Sequence, residues 1–210
     1  MSGLLERFSR GNTMKKVQYI SAIISFVLFM TIAHYVFHEM EIFGENDLLT
    51  KMRGVSFIES FSVIGTELVI GIASIALILY LWWVKKDYVG ILTVVVLVAG
   101  SNVLNKAIKG LMKRERPPFS HGEEGFSFPS GHAMVGLTFL LVIAYFISKE
   151  FSSTRLKVTT FTFAVILALL TGFSRVAEQA HYPSDVAAGF LLAYPFFVLC
   201  IFLYEKRPGK

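Results

Sequence analysis

Six runs of apolar residues, at about 17–37, 68–84, 88–104, 133–147, 158–176 and 186–204, leave this chain little freedom in how it folds. Crossing a hydrocarbon layer of about 30 Å takes roughly 17–25 helical residues. The runs approach or reach that length, and the fourth, being short, gains a turn from its flanks. No water is present inside a bilayer to satisfy backbone N–H and C=O groups, so a continuous apolar span must be helical. A membrane β-barrel would show polar and apolar residues alternating through strands of about ten residues, and no such alternation occurs. Six helices and their connections use up 210 residues. The expected fold is therefore an all-α membrane protein, a six-transmembrane-helix bundle forming a single membrane-embedded domain over 1–210. The 54% hydrophobic content and 20 Phe residues, well above what a soluble core of this length needs, agree with it.

The basic residues set an orientation. The amino-terminal segment, the 85–87 turn, the 149–157 loop and the 205–210 tail alternate onto one side of such a bundle. That side carries 12 of the 20 Lys and Arg and 4 of the 15 acids, a net +8, and the other side carries the remainder, a net −3. Positive charge marks the cytoplasmic side, so both termini are expected in the cytoplasm of a plasma-membrane protein. The basic balance is a topology signal; nucleic-acid binding would need a basic patch interleaved with stacking aromatics on a soluble face, which is absent. The first span follows Arg7, Arg10, Lys15 and Lys16, and no small-x-small cleavage pattern appears before Glu39, so an uncleaved first helix is expected. Cys200, the one cysteine, falls inside the sixth span and reads as a small buried hydrophobe.

Ionisable groups near a membrane are costly and mark function. On the outward side they concentrate in three segments. In the first, Lys109 and Arg116 are two helical turns apart, with Lys106 and Lys113 extending the stripe if the helix continues to Pro117. A point-charge Lys and a planar, forked Arg suit phosphate oxygens; taken alone, the stripe equally suits cations meeting lipid headgroups. The second segment is Pro129-Ser130-Gly131-His132, directly before an apolar run. Ser130 is placed to cap that helix, Gly131 lets a ligand approach the backbone, and the free N–H groups of a helix start favour an anion. His132 then stands in the first turn, although an ordinary turn would read the same way. The third segment is Ser174-Arg175, followed by His181 and Asp185 around Pro183. With Pro183 opening a helix, Asp185 can accept the His181 ring N–H, fix its tautomer and leave the other nitrogen free to attack.

Together the three segments resemble the type 2 phosphatidic-acid phosphatase family of membrane lipid phosphatases, which share an active site with vanadium haloperoxidases. The family's motifs are Lys-x6-Arg-Pro, Pro-Ser-Gly-His and Ser-Arg-x5-His-x3-Asp, and every spacing is kept here between Lys109 and Asp185. The resemblance runs over about 102–189 and implies His181 as a nucleophile forming a phosphohistidine. It further implies Asp185 as the acid orienting His181, and His132 as the group that protonates the leaving oxygen and then activates water. Lys109, Arg116 and Arg175, with Ser130 and the Gly131 N–H, would hold the phosphate. Three fixed cations and a helix terminus can compensate a transferring phosphoryl group without a metal, so no metal and no cofactor are expected. His121, Glu123 and Glu124 read as a solvated loop. Many relatives carry a Tyr-Leu-Gly type stretch between the Arg and the His; here 176–180 is Val-Ala-Glu-Gln-Ala, and Glu178 brings a negative charge near the anion site.

The segment 38–67 is too polar to span. Asn46 and Asp47 before Leu48, Leu49, Met52 and Val55 suggest a helix lying in the interface, beside the substrate entrance. The expected reaction is hydrolysis of a lipid phosphate or diphosphate at the outer face. Undecaprenyl diphosphate and phosphatidylglycerol phosphate lead as substrates and phosphatidic acid follows, since small six-span bacterial relatives act on the first two. The alternatives are phosphoryl transfer to a second lipid and a non-catalytic lipid-phosphate transporter or receptor. The intact nucleophile, acid and orienting carboxylate argue against the last, because binding alone needs only the cations.

Overall fold

Where the sequence changes from apolar to polar the helices end, and capping residues mark several of their starts. The computed structural model describes residues 2–118, 120 and 123–207, with side chains from Lys15 onward. Among them are α1 (Ser2–Phe37), α2 (Glu45–Met52), the single turn α3 (Ser56–Glu59) running into a 3₁₀ segment (Ser60–Gly65), and α4 (Glu67–Tyr80), which loosens into a π turn at Leu81–Lys85. Then come α5 (Tyr88–Met112), α6 (Gly131–Ser148), α7 (Thr154–Ala177) and α8 (Pro183–Glu205). Thr66 accepts the Val69 N–H at the start of α4, and Asp87 accepts the Gly90 N–H at 2.9 Å at the start of α5. Such caps are each worth about 1 kcal/mol.

Six of these helices are long and apolar enough to cross a membrane, as the six apolar runs require. α6 is the hub: 72% of its most apolar stretch is buried, against 17% for the α4 span. It packs against α5, α7 and α8, and α1 closes over α8. The outward faces of α1 and α4, with Ile20, Ile24, Val27, Leu68, Ile72 and Ile75 exposed, are what a lipid solvent favours. α5 runs two turns beyond the apolar stretch that ends at 104, carrying Asn105, Lys106 and Lys109 past it.

Polar atoms buried between α1 and α8 are matched to specific partners. Pro195 lies inside α8 and cannot donate to the Leu191 carbonyl one turn earlier. Ser25 of α1 supplies the missing donor to Leu191 O at 2.8 Å, and Ser21 meets the Tyr194 hydroxyl at 2.9 Å. Without Ser25, α8 would leave a bare carbonyl in hydrocarbon.

The spans alternate in direction, so the bundle has two ends. One gathers the starts of α1, α5 and α7 and the finishes of α6 and α8, where Lys15 pairs with Glu205 at 3.2 Å. The other gathers the end of α5 and the starts of α6 and α8. The short helices pack over this second end rather than lying free. Leu49 is buried, its carbonyl accepts from Gln179 Nε2 at 2.7 Å, and Gly54 N–H donates to Ala177 O at 3.3 Å.

Candidate active site

The helical stripe expected to carry both Lys109 and Arg116 does not form. α5 stops at Met112, and Lys113 adopts a left-handed conformation with φ 47°. The two prolines, with the residue before them steered toward extended geometry, keep 114–117 out of the helix. Arg116 therefore reaches the site from a separate, non-helical segment. Its Nη1 donates to Ala180 O at 2.8 Å and approaches His181 Nε2 at 3.4 Å, and its Nε donates to Gly125 O at 3.0 Å. Lys109 arrives from the helix itself. Both line one cavity, although the route differs from the one expected.

The second segment folds as its residue types dictate. Ser130 caps α6, its Oγ accepting the Ala133 N–H at 3.4 Å, and it is fully buried. Asn105 of α5 holds the turn by donating to Pro129 O at 3.0 Å. Gly189 of α8 passes so close that a Cβ there would lie 2.8 Å from Ser130 O. His132 is backed by Gly65, where a Cβ would sit 2.5 Å from His132 Cδ2. The ring is thus wedged against backbone and turned toward the cavity.

In the third segment, Arg175 ends α7 almost fully buried, and its carbonyl accepts the N–H groups of Ala180 and His181 at 3.0 and 3.2 Å. This tight return brings His181, 2% exposed, to face Asp185 in the first turn of α8. His181 Nδ1 lies 3.5 Å from Asp185 Oδ2 and forms no hydrogen bond at that distance. Oδ2 accepts the Tyr182 N–H at 2.9 Å, and Oδ1 accepts from Arg114 at 2.7 Å. Burial pushes the His181 pKa down to about 4, outweighing the pull of Asp185. The imidazole is therefore neutral at ordinary pH. An Arg116 N–H aimed at Nε2 assigns the ring proton to Nδ1, on the Asp185 side.

Lys109, Arg116, Gly131, His132 and His181 line one cavity of about 630 Å³. From this polar mouth it continues between α4 and α5 along Ile70, Ile78, Val94 and Val98, reaching Ser74, whose buried hydroxyl has no partner among the described residues. The Lys109 ammonium likewise has no hydrogen-bond or ion-pair partner among the described residues. Arg175, Ser130 and Asp185 stand behind the cavity wall. Arg175 is gripped by Glu178 and Glu123, and Glu123 also lies 3.5 Å from Arg116. Burial alone would raise the Glu123 pKa, but Arg175 and Arg116 hold it below the usual carboxylate range. Glu123 thus departs from its reading as part of a solvated loop: with its side chain 34% exposed, it is drawn in by two guanidinium groups. His121 lies outside the described residues.

Three further residues escaped the sequence reading. Asn105 sat in a polar stretch with no motif. Arg114 precedes Arg116 by two, and in an extended segment that spacing puts both on one face, which is a legible signal once the helix is known to stop early. Glu45 carried none, because its partners are Arg114 and Ser184, far along the chain. The helix it begins, α2, packs behind Asp185 and contributes nothing to the cavity lining, so α2 does not flank the cavity as a helix beside an entrance would.

Six spanning helices, with two histidines, Lys109 and Arg116 around one cavity at one end, define a multi-pass membrane protein. The PAP2 superfamily profile matches residues 90–208, and the chain belongs to that family. Phosphatidylglycerophosphatase B of Bacillus subtilis (strain 168) is 36% identical over 130 residues, 60% of this chain. The chain spans 63% of the length of that relative. The crystal structure of a transmembrane PAP2-type phosphatidylglycerolphosphate phosphatase from Bacillus subtilis matches with a TM-score of 0.80, covering 90% of this chain and 99% of that one. At 23% identity that likeness speaks for the fold.

Proposed function

We propose that this protein hydrolyses the phosphate monoester of a membrane lipid, with phosphatidylglycerol phosphate as the preferred substrate, through a phosphohistidine formed at the outer membrane face. The observation that carries this reading is the shape of the cavity. Histidines and cations ring its mouth, and an apolar channel between α4 and α5 leads away from them. A soluble phosphate ester would have no use for that channel. The family and the name of the Bacillus relative support the choice of headgroup. The charge asymmetry between the two ends supports an outward-facing site with cytoplasmic termini.

In the first step His181 Nε2 attacks phosphorus, the bond from phosphorus to the lipid oxygen breaks, and His132 gives that oxygen a proton. Asp185 holds the Nδ1 proton and stabilises the charge that develops on the ring. Lys109, Arg116 and Arg175 compensate the equatorial oxygens, and the α6 N-terminus at Gly131 offers free N–H groups to the same anion. For this, Arg116 moves from His181 Nε2 to the phosphate, and Arg175 exchanges its carboxylates for phosphate oxygens. In the second step His132 takes a proton from water, the hydroxyl attacks phosphorus, and the P–N bond breaks to release inorganic phosphate.

The test is phosphate release by detergent-purified protein from phosphatidylglycerol phosphate, undecaprenyl diphosphate and phosphatidic acid. Release should be fastest from the first, persist in EDTA and stop with vanadate, which mimics the transferring group. Loss of release on chelation overturns the metal-free mechanism. Faster release from undecaprenyl diphosphate overturns the substrate assignment, and a phosphorylated lipid product in place of free phosphate would reassign the protein as a transferase.

A further inference from the structure

Asp185 is wholly buried, and its two oxygens have different neighbours. Oδ2 faces His181 and takes the Tyr182 N–H, while Oδ1 takes Arg114 Nη1 at 2.7 Å. The same Nη1 donates to Ser184 Oγ at 2.7 Å, and Nη2 donates to Glu45 Oε2 at 2.7 Å. Glu45 Oε1 in turn accepts the Ser184 N–H at 3.2 Å and the Ser184 hydroxyl. The guanidinium lies over the Tyr182 ring, 4.1 Å from its centre. Arg114 and Glu45 are mostly buried, with side chains 17% and 8% exposed, yet neither lines the cavity.

We propose that Arg114, clamped by Glu45, is a positioning residue for the phosphatase reaction: it fixes the plane of the Asp185 carboxylate so that Oδ2 alone is presented to His181. This rests on the reading of His181 as the nucleophile and Asp185 as its orienting acid. A carboxylate rotates about its terminal bond in a broad energy well, so one N–H on Oδ2 leaves its plane loose. A second, charged donor on Oδ1 removes that freedom. Arg114 acts as a fork: one nitrogen holds Asp185 and the other holds Glu45, at the first residue of α2. The dyad is thereby keyed to a helix that packs over this end of the bundle. Lys carries a single nitrogen and cannot reproduce the geometry.

Arg114→Gln should lower kcat by about 10–100-fold with KM changed by less than about threefold, since the phosphate-holding cations are untouched. The loss should be the same for a lipid phosphate and for a short soluble phosphate ester, because it acts on chemistry common to both. Arg114→Lys should recover only part of the rate. In an Asp185→Asn background, Arg114→Gln should cost less than about twofold more, as residues acting through one another are not additive. Vanadate should inhibit Arg114→Gln as tightly as the unaltered protein. An Arg114→Gln protein with unaltered kcat, or one that loses as much in the Asp185→Asn background as alone, overturns the proposal. If Arg114→Gln does not fold in detergent, Glu45→Gln decides: a kcat loss of about 3–10-fold that vanishes in the Asp185→Asn background supports it, and no loss overturns it. Full activity of His181→Ala or Asp185→Asn would refute the reading of the site itself, a result distinguishable from any of these.

Discussion

Both ends of the bundle carry a cleft of nearly the same size, about 630 Å³ beside His132 and His181 and about 610 Å³ beside Asp87, and both are ringed by basic residues. They differ in how completely their polar groups are satisfied. At the Asp87 end, Arg207 and the Tyr204 hydroxyl converge on the Asp87 carboxylate, Lys85 pairs with Glu150 at 2.6 Å, and Lys149 lies over the Tyr145 and Tyr204 rings. At the histidine end, His181 Nδ1 and Arg175 Nε are buried without hydrogen-bond partners among the described residues. Buried groups are normally satisfied, and at this end the Lys109 ammonium also lines the cavity with no partner among the described residues, a cation left open to an anion. Volume does not tell a site from a crevice here; incomplete bonding does.

The sharpest way to break this contrast is His181→Ala. It should reduce phosphate release by about 10⁴-fold or more, as removal of a nucleophile does, while the melting temperature in detergent stays level or rises because a buried, incompletely bonded imidazole is gone. A protein that keeps within about tenfold of its activity would show that the unsatisfied end is not the reacting end. Lys109→Gln comes next. The cation lines the cavity unpaired, so kcat should fall by about 10²–10³-fold, as when one preorganised donor to a transition-state charge is removed. Vanadate inhibition should weaken with it, whereas Lys85→Gln at the other end should change neither.

The pH response separates the ends further. Burial sets His181 at about 4, below the ordinary value near 6.5 for an exposed histidine. On the proposed mechanism the neutral ring is available to attack throughout pH 5–8, and its protonation should not limit kcat/KM above about pH 5. For stability the sign follows from the lowered value. The neutral form is favoured on folding, so its contribution is whole above about pH 6.5 and declines as pH falls toward 4. Melting temperature should drop across that window, and His181→Gln should flatten part of the drop.

Much of this architecture was legible in the sequence because bilayers impose strict rules. Six apolar runs had to be helices, and Ser130, Pro183 and Asp87 mark helix starts through chemistry local to the chain. Of the residues the three motifs indicated, Lys109, Arg116, Gly131, His132 and His181 line one cavity, and Ser130, Arg175 and Asp185 stand behind its wall. What escaped depended on long-range geometry or on one backbone angle. Lys113 turns left-handed and ends α5 early, so Arg116 arrives from a non-helical segment and Arg114 shares its face; periodicity alone extended the helix through both. Glu45 finds Arg114 and Ser184 across about 70 and 140 positions, a pairing no local pattern encodes. Glu123 looked solvated because nothing nearby in sequence reveals two guanidinium groups waiting for an anion.

The smallest expected effect lies at the satisfied end and is confined to stability. Asp87 caps α5 through the Gly90 N–H and joins it to α8 through Arg207 and Tyr204. Desolvation would raise its pKa, yet the hydrogen bonds from Arg207, Tyr204 and Gly90 hold it well below the usual carboxylate range. A lowered carboxylate value stabilises the fold above the unfolded pKa of about 4 and is lost as pH falls below it. Asp87→Asn keeps an oxygen for the cap and removes the charge, so it should cost about 1–2 kcal/mol, the scale of a charged hydrogen bond partly open to water. In a chain of this length that lowers the melting temperature by about 2–8 °C. Asp87→Ala removes the cap as well and should cost about 1 kcal/mol more. Phosphate release at 25 °C should stay within about twofold in both, since every bond broken is at the far end of the helices. A fall in kcat larger than the loss of folded protein would mean that the two ends are coupled through α5 and α8, and the division between a saturated end that holds the bundle and an unsaturated end that reacts would have to be abandoned.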